Sequence, residues 1–143
     1  MIKVISGWGG PGGSTVAFNN LVNLFNDRGR TACFYTPQKW DGVTCKWDSQ
    51  QNVQFNKDDV VIYHFMKFSK RPPVEKLILS CHETRVFPIK EQSDLIYDDI
   101  HFVSKSQKEW QGVDGQVIPN VFQKYSVKLN KFKVRCAGVL GSI

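Results

Sequence analysis

Apolar residues along this chain come in short uninterrupted runs separated by glycine, proline and polar stretches, the pattern of strands covered on both faces. The first run, 2–5, is broken by the stretch from Gly7 to Gly13, which holds five glycines and one proline. A helix is predicted over 16–28, capped by Ser14 or Thr15. Its apolar face is Val16, Phe18, Leu21, Val22, Leu24 and Phe25, with Asn19, Asn20, Asn23, Asn26 and Asp27 mostly opposite, and Gly29 ends it in a left-handed cap. A second strand at 32–35 stops at Pro37. Strand, glycine turn, helix and strand in sequence make a βαβ unit with parallel strands and a right-handed crossover.

Further along, 38–52 lacks periodicity and reads as loop or edge structure. Strands are expected at 53–55, 59–65, 77–81, 100–103 and 116–118, the last ended by Pro119. A short helix over 104–111 begins at Ser104 or Ser106 and ends at Gly112. The segment 133–140 is strand-like and closes at Gly141. Short buried strands interleaved with helices specify an α/β fold, a Rossmann-like doubly wound, mostly parallel sheet with helices on both faces. Ligands of such sheets bind outside the carboxyl ends of the strands.

With 143 residues, 41% hydrophobic and 22% charged, the chain has the size and balance of one globular domain. The formal net charge of +6 favours an anionic partner: a phosphorylated substrate, a nucleic acid or an anionic membrane surface. The charge is scattered, densest at Lys67, Lys70 and Arg71, and Trp8, Trp40, Trp47 and Trp110 do not alternate with it. Nucleic acid is therefore not the expected partner. The four cysteines form no CxxC pair, which fits a reducing, cytoplasmic compartment. No segment reaches the roughly 20 apolar residues needed to span a bilayer, so the protein is expected to be soluble or at most peripheral.

The stretch Gly7-Trp8-Gly9-Gly10-Pro11-Gly12-Gly13-Ser14-Thr15 sits between the first strand and the first helix. Glycines there allow positive φ and close approach of the backbone to a ligand, and the helix N-terminus suits an anion. Gly7, Gly9 and Gly12 satisfy G-x-G-x-x-G, yet the second strand ends without a carboxylate for a ribose until Asp41. Gly7, Gly12 and Ser14 fit a P-loop except that Gly13 takes the place of the lysine that neutralises the terminal phosphates.

Four segments in order carry a resemblance. They are Gly9-Gly10-Pro11-Gly12-Gly13 with the helix ending Arg28-Gly29-Arg30 and the strand 31–37; Ile78-Leu79-Ser80-Cys81-His82-Glu83; Ile100 to Gln107; and Val117-Ile118-Pro119-Asn120. Together they resemble the amino-terminal, acceptor-side domain of retaining GT-B glycosyltransferases of family four. Val121-Phe122 departs from the family, which usually has glycine there.

The resemblance implies that 1–132 form the Rossmann-like domain and that 133–143 lead into a carboxyl-terminal donor-binding domain outside this chain. It implies transfer of a sugar from a nucleotide-sugar donor to a glycan, lipid or phosphorylated acceptor, with peripheral association at the inner membrane face and with no metal or other cofactor. His82 would face the transferred sugar as the catalytic residue. Gly12, Gly13, Ser14 and Thr15 would approach the donor diphosphate, and His64, Glu83, Arg85 and Lys105 would line the cleft, with Lys90 near the same edge. His101 is expected to precede its strand, at the far edge of the sheet. Residues 1–143 alone are expected to be catalytically incomplete. The alternative is a stand-alone Rossmann-like module that binds a nucleotide or phosphosugar without transfer.

Overall fold

The computed structural model describes residues 1–64, 70–82 and 96–121. In chain order these form β1 (Ile2–Ser6), α1 (Gly13–Asp27), β2 (Ala32–Thr36), β3 (Trp47–Ser49), β4 (Val60–His64), β5 (Lys76–Cys81), β6 (Asp99–Phe102), α2 (Lys105–Gln111) and β7 (Gln116–Val117). The strands make one seven-stranded sheet in the order β3-β2-β1-β4-β5-β6-β7, and every neighbouring pair is parallel. The expected Rossmann-like α/β sheet is therefore observed, with two helices among the described residues.

Strand order reverses between β1 and β4, so the chain winds outward in opposite directions from that pair. Right-handed crossovers then put the helices of the two halves on opposite faces. Phe18 and Val22 of α1 pack on Val4, Phe34, Ile62 and Ile78. Val113, just past α2, packs with Leu79, Cys81 and Phe102 on the other face.

The caps behave as their residues dictate. Gly29 has φ of 73°, its N–H donates to the Asn26 carbonyl (3.0 Å), and Arg30 N–H donates to the Phe25 carbonyl (2.9 Å), closing a Schellman motif. Ser104 caps α2 by accepting from Gln107 N–H, and Gly112 ends it in the left-handed region.

Three expectations are corrected. The α1 cap is Gly12, not Ser14 or Thr15, and no side chain caps the helix. Asn19 and Asn20 are buried, while Val16 is exposed. Asn19 Oδ1 accepts from the Thr44 and Cys45 N–H groups (2.9 and 3.1 Å), so an amide inside the packed face ties α1 to the loop before β3. The 53–55 stretch forms no strand; Val53 and Phe55 instead pack on the sheet face away from α1, and the edge strand is β3. The segment 133–140 lies outside the described residues, and so does the 132/133 boundary.

Candidate functional site

The strand order reverses between β1 and β4, and the carboxyl ends of strands at such a point are the usual ligand position in an open α/β sheet. The glycine-rich loop lies at one side of this position. Gly7 N–H donates to the His64 carbonyl (3.0 Å), which pins the loop to β4. A Cβ on Gly9 would stand 2.8–3.1 Å from Gln38 Cγ, N and O, so the loop runs against the chain leaving β2 and only glycine fits. Among the described glycines positive φ occurs at Gly29 and Gly112 and at none of those in this loop, so close approach is what its glycines provide.

The α1 N-terminus has the properties expected of an anion site. Gly12 is extended (φ −171°), no side chain caps the first turn, and no acidic residue lies in it. The first N–H groups of a helix have no partner within it, and the helix dipole adds positive potential there. A Cβ on Gly13 would meet nothing within 4 Å. The Thr15 hydroxyl, fully buried, lies within hydrogen-bond distance of the Gly10 and Gly12 carbonyls (2.9 and 3.0 Å) and so braces the loop from inside. Ser14 is half-buried and is the hydroxyl nearer the surface.

Strand register builds the other wall. Ser6 is the Cα partner of His64 across β1 and β4, and Ser80 that of His101 across β5 and β6. Tyr63 pairs with Leu79, which brings the next residues, His64 and Ser80, side by side. Side chains alternate along a strand, so Ser6, His64, Ser80 and His101 form a polar row on the α1 face. The row beneath it holds Val4, Ile62 and Ile78. Ser6 Oγ lies 3.0 Å from His64 Nδ1, and Ser80 Oγ lies 3.2 Å from His82 Nε2.

His64 and His82 are brought together as their strand-end positions suggest. Their rings meet edge to face at 5.1 Å between centroids. Phe18 of α1 completes a trio, 5.1 Å from the His64 ring and 4.5 Å from that of His82. His64 is buried, and His82 is half-exposed at the rim.

His101 is misplaced by the sequence reading. It lies inside the run 100–103 expected as a strand, is the third residue of β6, and lines the same groove as His82. Burial lowers its pKa, with Lys76 acting in the same direction and Asp99 opposing. The groove, about 330 Å³, runs between α1, the sheet at β4–β6 and the 118–121 segment, and includes Phe18, Leu21, Ile62, His82, His101 and Ile118 in its walls.

Lys105 opens α2, is exposed, and stands past the carboxyl end of β6. Glu83, Arg85 and Lys90 lie outside the described residues. Ser6 and Ser80 were not singled out from the sequence. The available signal was their place: Ser6 ends the first strand before the glycine turn, and Ser80 stands two residues before His82 on the same face.

No group of three or more His, Cys, Asp or Glu side chains among the described residues is placed to hold a metal ion. Among them, too, no helix is long and apolar enough to cross a membrane. Cys33, Cys45 and Cys81 are free and buried. Burial pushes the Cys45 thiol up to about 12, which makes it an apolar filler rather than a nucleophile. Comparison with protein families, with curated proteins and with solved structures finds no match to this chain.

Proposed function

We propose that the chain is the acceptor-side half of a glycosyltransferase that moves a sugar from a nucleotide-sugar donor to a glycan, lipid or phosphorylated acceptor. The observation that carries this reading is the meeting, at one strand-order reversal, of an uncapped helix N-terminus with the His64–His82 pair. The first suits a diphosphate and the second suits the sugar attached to it.

In this reading the N–H groups of Gly12, Gly13 and Ser14 hold the donor diphosphate, whose negative charge grows as the anomeric C–O bond breaks. His82 faces the sugar at the rim, oriented by Ser80 on one side and by Phe18 on the other. His64, buried and bonded to Ser6, keeps the His82 ring in place rather than touching substrate. The acceptor hydroxyl attacks the anomeric carbon, the bond from that carbon to the diphosphate oxygen breaks, and the hydroxyl proton passes to the departing nucleoside diphosphate. Lys105 serves a phosphorylated acceptor at the rim. Donor contacts beyond the diphosphate come from a second domain outside residues 1–143, and the protein works in the cytoplasm, peripheral at the inner membrane face.

The test is calorimetric titration of the full-length protein with uridine and guanosine diphosphates and their sugars, followed by an assay for released nucleoside diphosphate. Saturable binding of one donor, with release that depends on an acceptor, is expected. Gly13→Glu should remove binding, because it sets a carboxylate at the helix N-terminus where no protein atom opposes a side chain. Binding without transfer would reduce the claim to a nucleotide or phosphosugar module. No binding of any of these compounds removes the proposal.

A further inference from the structure

The glycine-rich loop carries a side chain that the anion site does not use. Trp8 is 54% exposed at its tip. Exposure alone says little, because single apolar side chains are common on protein surfaces. The way this indole is held says more. A Cβ on Gly10 would lie 3.1–3.2 Å from Trp8 Cζ2, Nε1 and Cε2, so the ring rests closely against the loop backbone, and a side chain at Gly10 would displace it by a few tenths of an ångström. Trp8 Nε1 also stands 3.8 Å from the Cβ position of Gly12, the residue that caps α1. The Trp8 backbone N–H donates to Ser6 Oγ (3.2 Å), the hydroxyl that meets His64. The indole thus lies against the Gly10 and Gly12 backbone beside the helix N-terminus, and the Trp8 main chain is one hydrogen bond from the histidine row.

We infer that Trp8 is a stacking platform for the hexose ring handled at this site, a specificity-determining contact that rests on the sugar-transfer reading above. A hexopyranose carries C–H bonds on its faces and hydroxyls around its rim. A flat indole desolvates such a face while leaving the rim hydroxyls to water or polar groups. A diphosphate on the Gly12–Ser14 N–H groups is joined to its sugar by a single oxygen, which keeps that ring within reach of the helix N-terminus, where Trp8 stands. Gly10 is a positioning residue, since its missing side chain lets the indole lie where it does.

Saturation-transfer difference spectra test this with the methyl α-pyranosides of glucose, galactose and mannose, and separately with uridine and guanosine diphosphates. At least one glycoside should show ring-proton signals with the wild-type protein. Trp8→Ala should reduce them about fivefold or more, while Trp8→Phe keeps most of the signal because a ring face remains. Nucleoside diphosphate signals should change less than about twofold in both variants, since backbone N–H groups bind the phosphates. Trp8→Gln repeats the measurement with a flat side chain that has no ring, should the alanine variant be poorly folded.

Glycoside signals that are absent from the wild type, or unchanged on loss of the indole, overturn the platform. So do nucleobase signals that depend on Trp8 where sugar signals do not. The two proposals fail separately. Trp8-dependent sugar contacts in a full-length protein that transfers nothing leave the platform and remove the transferase. Transfer with unchanged kcat and KM in Trp8→Ala leaves the transferase and removes the platform.

Discussion

Ser6 and His64 are Cα partners on the last rung between β1 and β4, and the Ser6 hydroxyl sits 3.0 Å from His64 Nδ1. Both are essentially without solvent exposure. The rung marks the place where strand order reverses, so the bond fixes an imidazole at the carboxyl ends of these strands and, through the Trp8 N–H, the start of the glycine-rich loop. Ser6→Ala removes the hydroxyl that meets His64 Nδ1 and the Trp8 N–H, which costs roughly 0.5–1.5 kcal/mol for each bond lost. Urea unfolding should show that loss with an unchanged m-value. Ser6→Thr keeps the hydroxyl and should lose less. Equal stability of the alanine variant and wild type would mean that the bond holds nothing in place.

The glycines of the loop should separate sharply by substitution. Gly9→Ala drives a methyl group to within 3 Å of the Gln38 backbone, and overpacking of this kind costs roughly 1–3 kcal/mol. Gly13→Ala meets no protein atom, and a helical glycine replaced by alanine gains about 0.4–1 kcal/mol by restricting the unfolded chain. Thermal melts of the two variants should therefore move in opposite directions. If the transferase reading is right, Gly13→Ala still binds donor, because a methyl group carries no charge.

How far these features were legible follows from what each one depends on. Runs such as 60–64 and 77–81 have one reading, since continuous apolar strands need a sheet covered on both faces, and the parallel architecture follows. Gly29 and Gly112 announce helix ends for local backbone reasons, and the structure has left-handed φ at both. The polar row was not legible, because it exists only once register is known: Ser6, His64, Ser80 and His101 lie far apart in sequence and are joined by strand pairing alone. His101 was misjudged although it falls within the run expected as a strand, because its place depends on register: pairing with Ser80 on the α1 face puts it in the groove and not at the far edge. Asn19 misled through its type, since an amide on a helix reads as a solvent-facing residue unless the backbone groups it satisfies are known.

Asn19 is correspondingly a sensitive position. Its side-chain oxygen accepts from two backbone N–H groups, and its Nδ2 donates to Thr44 Oγ1 at 3.0 Å. Asn19→Leu has similar volume but leaves the Thr44 and Cys45 donors unpaired at a largely buried position, at about 1–3 kcal/mol for each group left unsatisfied. Asn23, exposed enough to exchange its bond to Thr44 Oγ1 for water, should tolerate alanine with a loss below about 0.5 kcal/mol. Denaturation midpoints of the two variants should differ accordingly, and amide exchange at Thr44 and Cys45 should quicken only in Asn19→Leu.

The last expectation concerns acid. Lys3 and Asp59 form a buried pair on the sheet face away from α1, and both are almost fully shielded from solvent. Lys3 also donates to the Gln54 carbonyl, while Asp59 accepts from the Asn56 N–H (2.7 Å) and faces the terminal ammonium at 3.3 Å. Burial pushes the Asp59 carboxyl upward, but the hydrogen bonds from Lys3, Asn56 and the amino terminus outweigh it and hold the pKa below the usual carboxylate range. A carboxylate whose folded pKa lies below its unfolded value of about 3.9 contributes stability that is complete above that pH. The contribution falls away as pH drops through the folded pKa, because the unfolded chain takes up the proton first. Wild type minus Asp59→Asn should therefore give a stability difference that is flat from neutral pH down to about 5 and shrinks steadily below about 4. At neutral pH the variant should lose about 3–5 kcal/mol, since it leaves the Lys3 ammonium buried without its counter-charge. A difference that grows on acidification would reverse the sign of the linkage and show that Asp59 is held protonated.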